Sequence, residues 1–327
     1  MENGSVVLRA EQVKKYFPVQ GGLGRPKRMV KAVDGVDLEV KKGEIYGLVG
    51  ETGCGKSTLG RTLIRLTEPT EGKVQILGKE ITGLHGHDLR EMRRDVQMVF
   101  QDPYTSLDPR QKVGDILMEA LEIHGIGSKS QRMEAALEIL EKVGLRLEHF
   151  YRYPHEFSGG QRQRIGLARA LILNPKIIIC DEPVSALDVS IQAQIINLLQ
   201  DLREKEGISF LFIAHDMSVV KYVSDRIGVM YLGNMMEEAE TEELFSNTLH
   251  PYAKALLSAV PNLDPHHKRE RINLKGELPS PMNPPSGCVF HTRCPYATEE
   301  CSLQKPELKE VKPGHKVACL KAEAGIL

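Results

Sequence analysis

Apolar and polar positions alternate from residue 5 to residue 46, in runs such as VVLRAEQV and VKAVDGVDLEV separated by turn residues. A period of two predicts an antiparallel β layer with one buried and one wet face. The basic, glycine-rich QGGLGRPKR between the two runs is read as a hairpin tip. Glu44 to Val49 is then a short apolar run, predicted to be a buried strand, and Leu59, Leu63 and Leu66 follow it at helical spacing. Helical period dominates residues 102 to 160, where GDILMEALEIHG and QRMEAALEILEKVG place Ala135, Ile139 and Val143 on one stripe. Three strand-like runs come next: Lys176 to Cys180, Ser209 to Ala214 and Arg226 to Tyr231. Between the first two, Ile191, Ile195, Leu198, Leu199 and Leu202 form one apolar helical face. Strands alternating with helices predict an open α/β sheet with parallel returns, carrying a helical insertion. From about residue 236 the pattern changes, and residues 261 to 315 are rich in proline, histidine and charge with weak periodicity.

Composition narrows this picture. A chain of 327 residues suits one large domain and one small, and 41% hydrophobic residues supply a sizeable core. A net charge of −1 and a pI near 6.8 give no bulk basicity for nucleic acid as the main partner. The opening MENGSVVLRAEQ has no apolar h-region and is not read as a signal peptide. No run of eighteen apolar residues is present, so no bilayer span is predicted. The default compartment is the cytoplasm, where structural disulfides are disfavoured.

The chemistry begins at GLVGETGCGKSTLGR. Gly50-x4-Gly55-Lys56-Ser57, after a strand and before a helix, has the composition of a loop whose backbone N–H groups cradle phosphates. In KIIICDEP, four apolar residues deliver Asp181 and Glu182 to the C-terminal end of a buried strand. Asp181 is expected to hold Mg²⁺ alongside the Ser57 hydroxyl. Glu182 is expected beside the γ-phosphate, where a carboxylate orients and polarises the attacking water. Ser158-Gly159-Gly160-Gln161 then opens a second helix with small residues, a second anion-binding end in one chain. One triphosphate can use both ends if two subunits face each other head to tail.

From about residue 6 to 235 the sequence resembles the ATP-binding subunit of ABC transporters, with its motifs in the expected order. The resemblance implies a P-loop NTPase core with a RecA-like sheet, an antiparallel β layer and a helical subdomain over about 102–165. It implies that Phe17, or its neighbour Tyr16, stacks on adenine. Gly50, Glu51, Thr52, Gly53, Cys54, Gly55, Lys56, Ser57 and Thr58 would hold the phosphates. Gln101 in MVFQDP would sense Mg²⁺ and the lytic water, and Ser57, Gln101 and Asp181 would form the Mg²⁺ site. Ser158, Gly159, Gly160 and Gln161 would clasp the ATP of the opposite subunit. Asp188 in SALD would cross the dimer interface and His215 in FIAHD would contact the γ-phosphate, so that Glu182, His215 and Gln101 carry the hydrolysis. Phe157 departs from the Leu common before S-G-G-Q, apolar for apolar.

Four of the six cysteines, Cys288, Cys294, Cys301 and Cys319, lie within 32 residues at spacing C-x5-C-x6-C-x17-C. Cys54 and Cys180 are read as small fillers. Four thiolates suit a tetrahedral zinc or a [4Fe–4S] cube, although the close C-x2-C pairs common at structural zinc sites are missing. HPYAKALLSAVP, PPSGCVFHTRCPYA and VACL resemble the C-terminal extension of oligopeptide and dipeptide importer ATPases, as do QDPYTSLDPR and YPHEFSGGQRQRI. That resemblance implies a [4Fe–4S] cluster on the four cysteines, with Zn²⁺ and free thiols or disulfides as alternatives. His291 and His315 are read as surface residues or supports behind the ligands rather than ligands, and the phosphate site is expected to be built wholly before residue 235.

The resulting expectation is an ATPase of 1–235 with an extension of 236–327. It would sit peripherally on the cytoplasmic face of the membrane, coupling ATP to peptide import. Its expected partners are two transmembrane permeases, a second, non-identical ATPase and an extracytoplasmic solute-binding protein, with no nucleic acid. Nickel, an opine or a glutathione-like peptide are alternative cargoes. A DNA- or ribosome-directed ABC ATPase and an iron–sulfur redox module are the other classes weighed.

Overall fold

The computed structural model describes residues 5–19, 28–185, 187–260, 272–274 and 276–326, so the expected hairpin tip at 20–27 lies outside the described residues. In chain order the strands are β1 (Val6–Val19), β2 (Arg28–Lys41), β3 (Ile45–Val49), β4 (Glu71–Ile76), β5 (Lys79–Glu80) and β6 (Val96–Val99). They continue as β7 (Ile177–Asp181), β8 (Ser209–Ile213), β9 (Arg226–Tyr231), β10 (Asn234–Glu240), β11 (Lys309–Lys312) and β12 (His315–Val317). The chain divides into two compact units, one of residues 1–8, 40–44 and 75–212, the other of 9–39, 45–74 and 213–327.

In the first unit β8, β7 and β6 are neighbours. β6 and β7 run parallel, Val96 opposite Ile177 and Val99 opposite Cys180. β7 (IIICD) and β8 (SFLFI) are buried at every position, which is why they read as unbroken apolar runs rather than as alternation. The helical segment contains helices Val113–Ile123, Lys129–Lys142 and Gly159–Leu171. Ser128 and Gln131 start the second of these with a reciprocal capping box. Its buried positions are Ala136, Ile139 and Leu140, with Val143 just beyond. Ala135, expected on the stripe, is only half-buried, because the 3.6-residue turn puts its neighbour Ala136 at the centre of the face. The 18-residue helix Val189–Glu206 buries Ile195, Ile196, Leu199 and Leu202, while the expected Ile191 and Leu198 are half-buried on its flanks.

In the second unit β2, β1 and β4 are neighbours, and the end of β4 belongs with β5 to the first unit, Gln75 opposite Glu80. The main sheet of this unit runs β11-β12-β10-β9-β3. β3 and β9 are parallel, and β10 pairs antiparallel with both β9 and β12. The compositional change near residue 236 therefore falls inside β10. The helix after the glycine loop is Lys56–Leu63, with Leu59 and Leu63 fully buried. Leu66 is 48% exposed, because the helix has already ended and Arg65 turns the chain with φ 52°. Among the described residues no helix is long and apolar enough to cross a membrane.

Candidate functional site

The second unit carries the glycine loop. Gly50 (φ 155°) and Gly55 (φ 106°) sit in backbone that disfavours side chains, and each has a wall behind it. A Cβ on Gly50 would lie 2.1 Å from the Met230 carbonyl oxygen, and one on Gly55 would lie 2.0 Å from that of Ala32. As N-cap, Gly55 offers no side-chain oxygen to the first-turn N–H groups of Lys56–Leu63, leaving the arrangement a phosphate exploits. Lys56 is 4% exposed, its Nζ donating to the carbonyls of Gly50 (2.7 Å) and Glu51 (3.2 Å). Cys54 is buried, and that burial raises its thiol pKa. Of the two candidates for adenine, the Phe17 ring is 39% exposed, with Lys15 Nζ 4.9 Å from its centroid. The Tyr16 hydroxyl is committed to the Asp34 carboxylate. His215 lies exposed just after Ala214, and the next residue, Asp216, caps helix Met217–Val223.

The first unit carries Gln101, Ser158 to Gln161, Asp181, Glu182 and Asp188. Asp181 ends β7 with no exposed surface. Glu182 follows with φ 46°, a left-handed conformation that is uncommon outside glycine. Gln101 Nε2 donates to Glu182 Oε2 at 2.9 Å, so these two expected catalytic residues are brought together. Ser158 and Gln161 form a capping box at the start of helix Gly159–Leu171, hydroxyl to N–H at 3.4 Å and amide oxygen to N–H at 3.1 Å. Gly160 is buried, and a Cβ there would lie 2.5 Å from Ile191 Cγ2. Asp188 accepts the Ile191 N–H at 3.0 Å and caps Val189–Glu206, a structural task not read from the SALD motif. Phe157 is buried with its ring edge-on to His149. Within the first unit, the Gln101 amide and the Asp181 carboxylate offer hard oxygen donors of the kind that suit Mg²⁺.

The glycine loop, expected to be the phosphate site, is not held wholly by residues before 235. Arg293 forks onto Glu51, Nη1 to Oε2 at 2.7 Å and Nη2 to Oε1 at 3.1 Å. The Glu51 N–H donates to the Tyr252 hydroxyl at 2.8 Å. Tyr252 packs against Tyr231 and Phe290, with ring centroids 4.7 and 5.4 Å away. Its neighbours in the HPY stretch explain its placement. His250 caps helix Pro251–Ser258 through Nδ1, and Pro251 occupies the first turn. Burial first, then Lys254, lowers the His250 pKa to about 3, so the ring is neutral. No sequence signal pointed to these contacts, since 242 residues separate Glu51 from Arg293.

The tail corrects one further expectation and leaves another without support. His315 is fully buried rather than at the surface, with Nε2 2.7 Å from Glu237 Oε1 and Nδ1 3.2 Å from Glu243 Oε1. Burial works against its charge, but hydrogen bonds to these carboxylates outweigh it and raise the pKa. The four tail cysteines are free and half-buried. Cys288 and Cys301 are joined through backbone, N–H to carbonyl at 2.8 Å. Among the described residues no group of three or more Cys, His, Asp or Glu is arranged to hold a metal ion, so neither the [4Fe–4S] cluster nor Zn²⁺ is supported. Burial pushes the Cys288 thiol up to about 11, with the nearby Cys319, Cys294 and Cys301 adding to the shift, and burial also raises that of Cys294.

Comparison with known proteins gives consistent matches. Residues 33–185 match the family described as ABC transporter, and residues 236–301 match the oligopeptide/dipeptide transporter C-terminal region. The oligopeptide transport ATP-binding protein AppF of Bacillus subtilis is 57% identical over 321 residues, covering 97% of this chain and 98% of that protein. The dipeptide transport ATP-binding protein DppF of Haemophilus influenzae is 50% identical over 319 residues, covering 98% of each. Among solved structures, the dimeric post-hydrolysis state of the ATP-binding cassette MJ0796 bound to ADP and Pi aligns with TM-score 0.64 and 31% identity. That alignment covers 72% of this chain and 98% of the cassette. With its glycine loop, its buried Asp181 beside Glu182 and near full-length similarity to these relatives, the chain belongs to the oligopeptide/dipeptide branch of the ABC transporter ATP-binding family.

Proposed function

We propose that this chain is the ATP-hydrolysing subunit of a peptide importer, working as one half of a head-to-tail ATPase dimer. The observation that carries the hydrolytic reading is the Glu182–Gln101 pair at the end of β7. Glu182 is the base that takes a proton from the attacking water, and Gln101 holds its carboxylate in place. Lys56 and the loop 50–58 bind the β and γ phosphates, Phe17 stacks on the base, and His215 contacts the γ-phosphate. Ser57, Asp181 and Gln101 would hold Mg²⁺, which would supply positive charge to offset that on the phosphate oxygens. Ser158 to Gln161 and Asp188 serve the partner's nucleotide across the dimer. Residues 1–235 form the nucleotide domain, with 102–165 as its helical subdomain facing the permeases, and 236–327 form the extension. Peptide as cargo is supported by the names of the relatives that match along the whole chain.

The complex we envisage adds two transmembrane permeases, a second, non-identical ATPase and an extracytoplasmic solute-binding protein, with this subunit peripheral on the cytoplasmic face. Uptake of labelled di- and oligopeptides by cells deleted for this chain provides the test. Uptake should return with the parent sequence and not with Glu182→Gln. Peptide uptake that is indifferent to the deletion, in cells without a second such importer, would sink the peptide reading.

A further inference from the structure

We infer that Arg293 is a positioning residue for nucleotide binding, fixing the phosphate loop from the C-terminal extension through Glu51. The inference rests on reading Gly50 to Thr58 as the phosphate loop. Glu51 is an acid inside a loop meant for a polyanion, which needs an explanation. The Arg293 side chain is 8% exposed against 28% for Glu51, and its planar fork engages both carboxylate oxygens. A bidentate guanidinium sets direction as well as charge, which an ammonium cannot do. Arg293 is itself held, with Nη1 3.4 Å from the Tyr231 hydroxyl and the guanidinium carbon 5.8 Å from the centre of that ring.

The main chain of Glu51 is held as well. Its N–H is taken by the Tyr252 hydroxyl, while its carbonyl accepts from Cys54 N at 3.2 Å and from Lys56 Nζ at 3.2 Å. Every polar group of Glu51 is therefore engaged, and two of the holding residues, Tyr252 and Arg293, come from the extension. The Glu51 carbonyl is also where the Lys56 ammonium rests. Arg293 thus acts on Lys56 through one residue, by neutralising the acid and by fixing the peptide that carries that carbonyl. Without the fork, the Glu51 carboxylate regains its repulsion for phosphate and the loop loses an anchor.

Arg293→Gln and Arg293→Lys, each alone and combined with Glu51→Gln, should be titrated as full-length chains with a non-hydrolysable Mg·ATP analogue, with steady-state kcat and KM measured alongside. Arg293→Gln should weaken the analogue and raise KM for ATP roughly tenfold, with kcat within about twofold. Loss of folded protein would instead lower kcat at unchanged KM. Arg293→Lys, keeping charge without the fork, should fall in between. In the Glu51→Gln background neither substitution should change affinity by more than about twofold, since their shared partner is gone. Unchanged affinity in both Arg293 variants overturns the inference, as does an equal loss with Glu51 already neutral. Should Arg293→Gln not fold, Arg293→Lys decides by the same two criteria. Lys56→Ala separates the two levels: intact affinity there defeats the phosphate-loop reading itself, whereas binding lost there but kept in the Arg293 variants defeats only the inference.

Discussion

Glu182 holds a left-handed backbone at φ 46°, a conformation costing on the order of 1–3 kcal/mol for a residue with a side chain. Such strain persists where surrounding contacts enforce it, here the Gln101 side chain on its carboxylate and Ser185, whose N–H and hydroxyl both donate to the Glu182 carbonyl. Glu182→Gln keeps the size and the geometry and removes the proposed base. It should retain ATP affinity while turnover falls by roughly 10²–10⁴. Single-turnover kinetics at saturating ATP check this, and near-normal turnover would remove Glu182 from the base role. Asp181, Glu182 and Lys56 were legible because their surroundings are local: a strand, a glycine loop, a helix start. Arg293 was not, because nothing near it in sequence hints at Glu51.

Caps illustrate how one residue serves two levels among the helices. Asp188 and Ser158 stand in motifs that the family resemblance assigns to the dimer, and both are also N-caps. Asp188→Ala should lower stability by about 1 kcal/mol through the uncapped helix Val189–Glu206. Asp188→Asn, which still caps, should stay within about 0.5 kcal/mol of the parent. Thermal melts of the two variants measure the capping role, and ATP-induced dimerisation of Asp188→Asn measures the proposed interface role separately. A melt in which Asp188→Ala is indistinguishable from the parent would mean the cap contributes nothing. Helix and strand existence followed the hydrophobic period well for β3, β7, β8 and β9. It failed for β6, only four residues long, and for β10 to β12. NMMEEAE carries three glutamates, yet Glu237 and Glu238 are buried. Glu237 binds His315 and the N–H groups of Leu249 and His250, and Glu238 accepts from the Tyr46 hydroxyl.

For the molecule as a whole, two buried histidines bracket the pH range of stability with opposite signs. His250 has a folded pKa lowered to about 3, so its contribution is complete above the unfolded value near 6.5 and is lost as pH falls towards 3. His315 has a raised folded pKa, so its contribution is complete below about 6.5 and is lost as pH rises through the folded value. Each can tilt stability by at most about 1.4 kcal/mol per pH unit, the limit for one proton. Urea midpoints between pH 4 and 9 should therefore pass through a maximum. His250→Asn, which can still cap, should flatten the acid side, and His315→Gln should flatten the alkaline side. If both slopes survive both substitutions, other groups set the profile.

Sequence alone determined the α/β class, the glycine loop between strand and helix, the Asp181–Glu182 strand end and the importer-like tail. These are short-range patterns, in which backbone geometry and residue type specify the chemistry within a dozen positions. It also marked out the HPY stretch and the clustered cysteines, without saying what either touches. Tertiary structure decided that Tyr252 and Arg293 reach Glu51 and that His315 is buried against two glutamates, and it joins none of the four tail cysteines in a disulfide. Each of these depends on pairing partners far apart in the chain. Where a charge ends buried and paired is settled by the packing of β9, β10 and β12 rather than by the hydrophobicity of its neighbours.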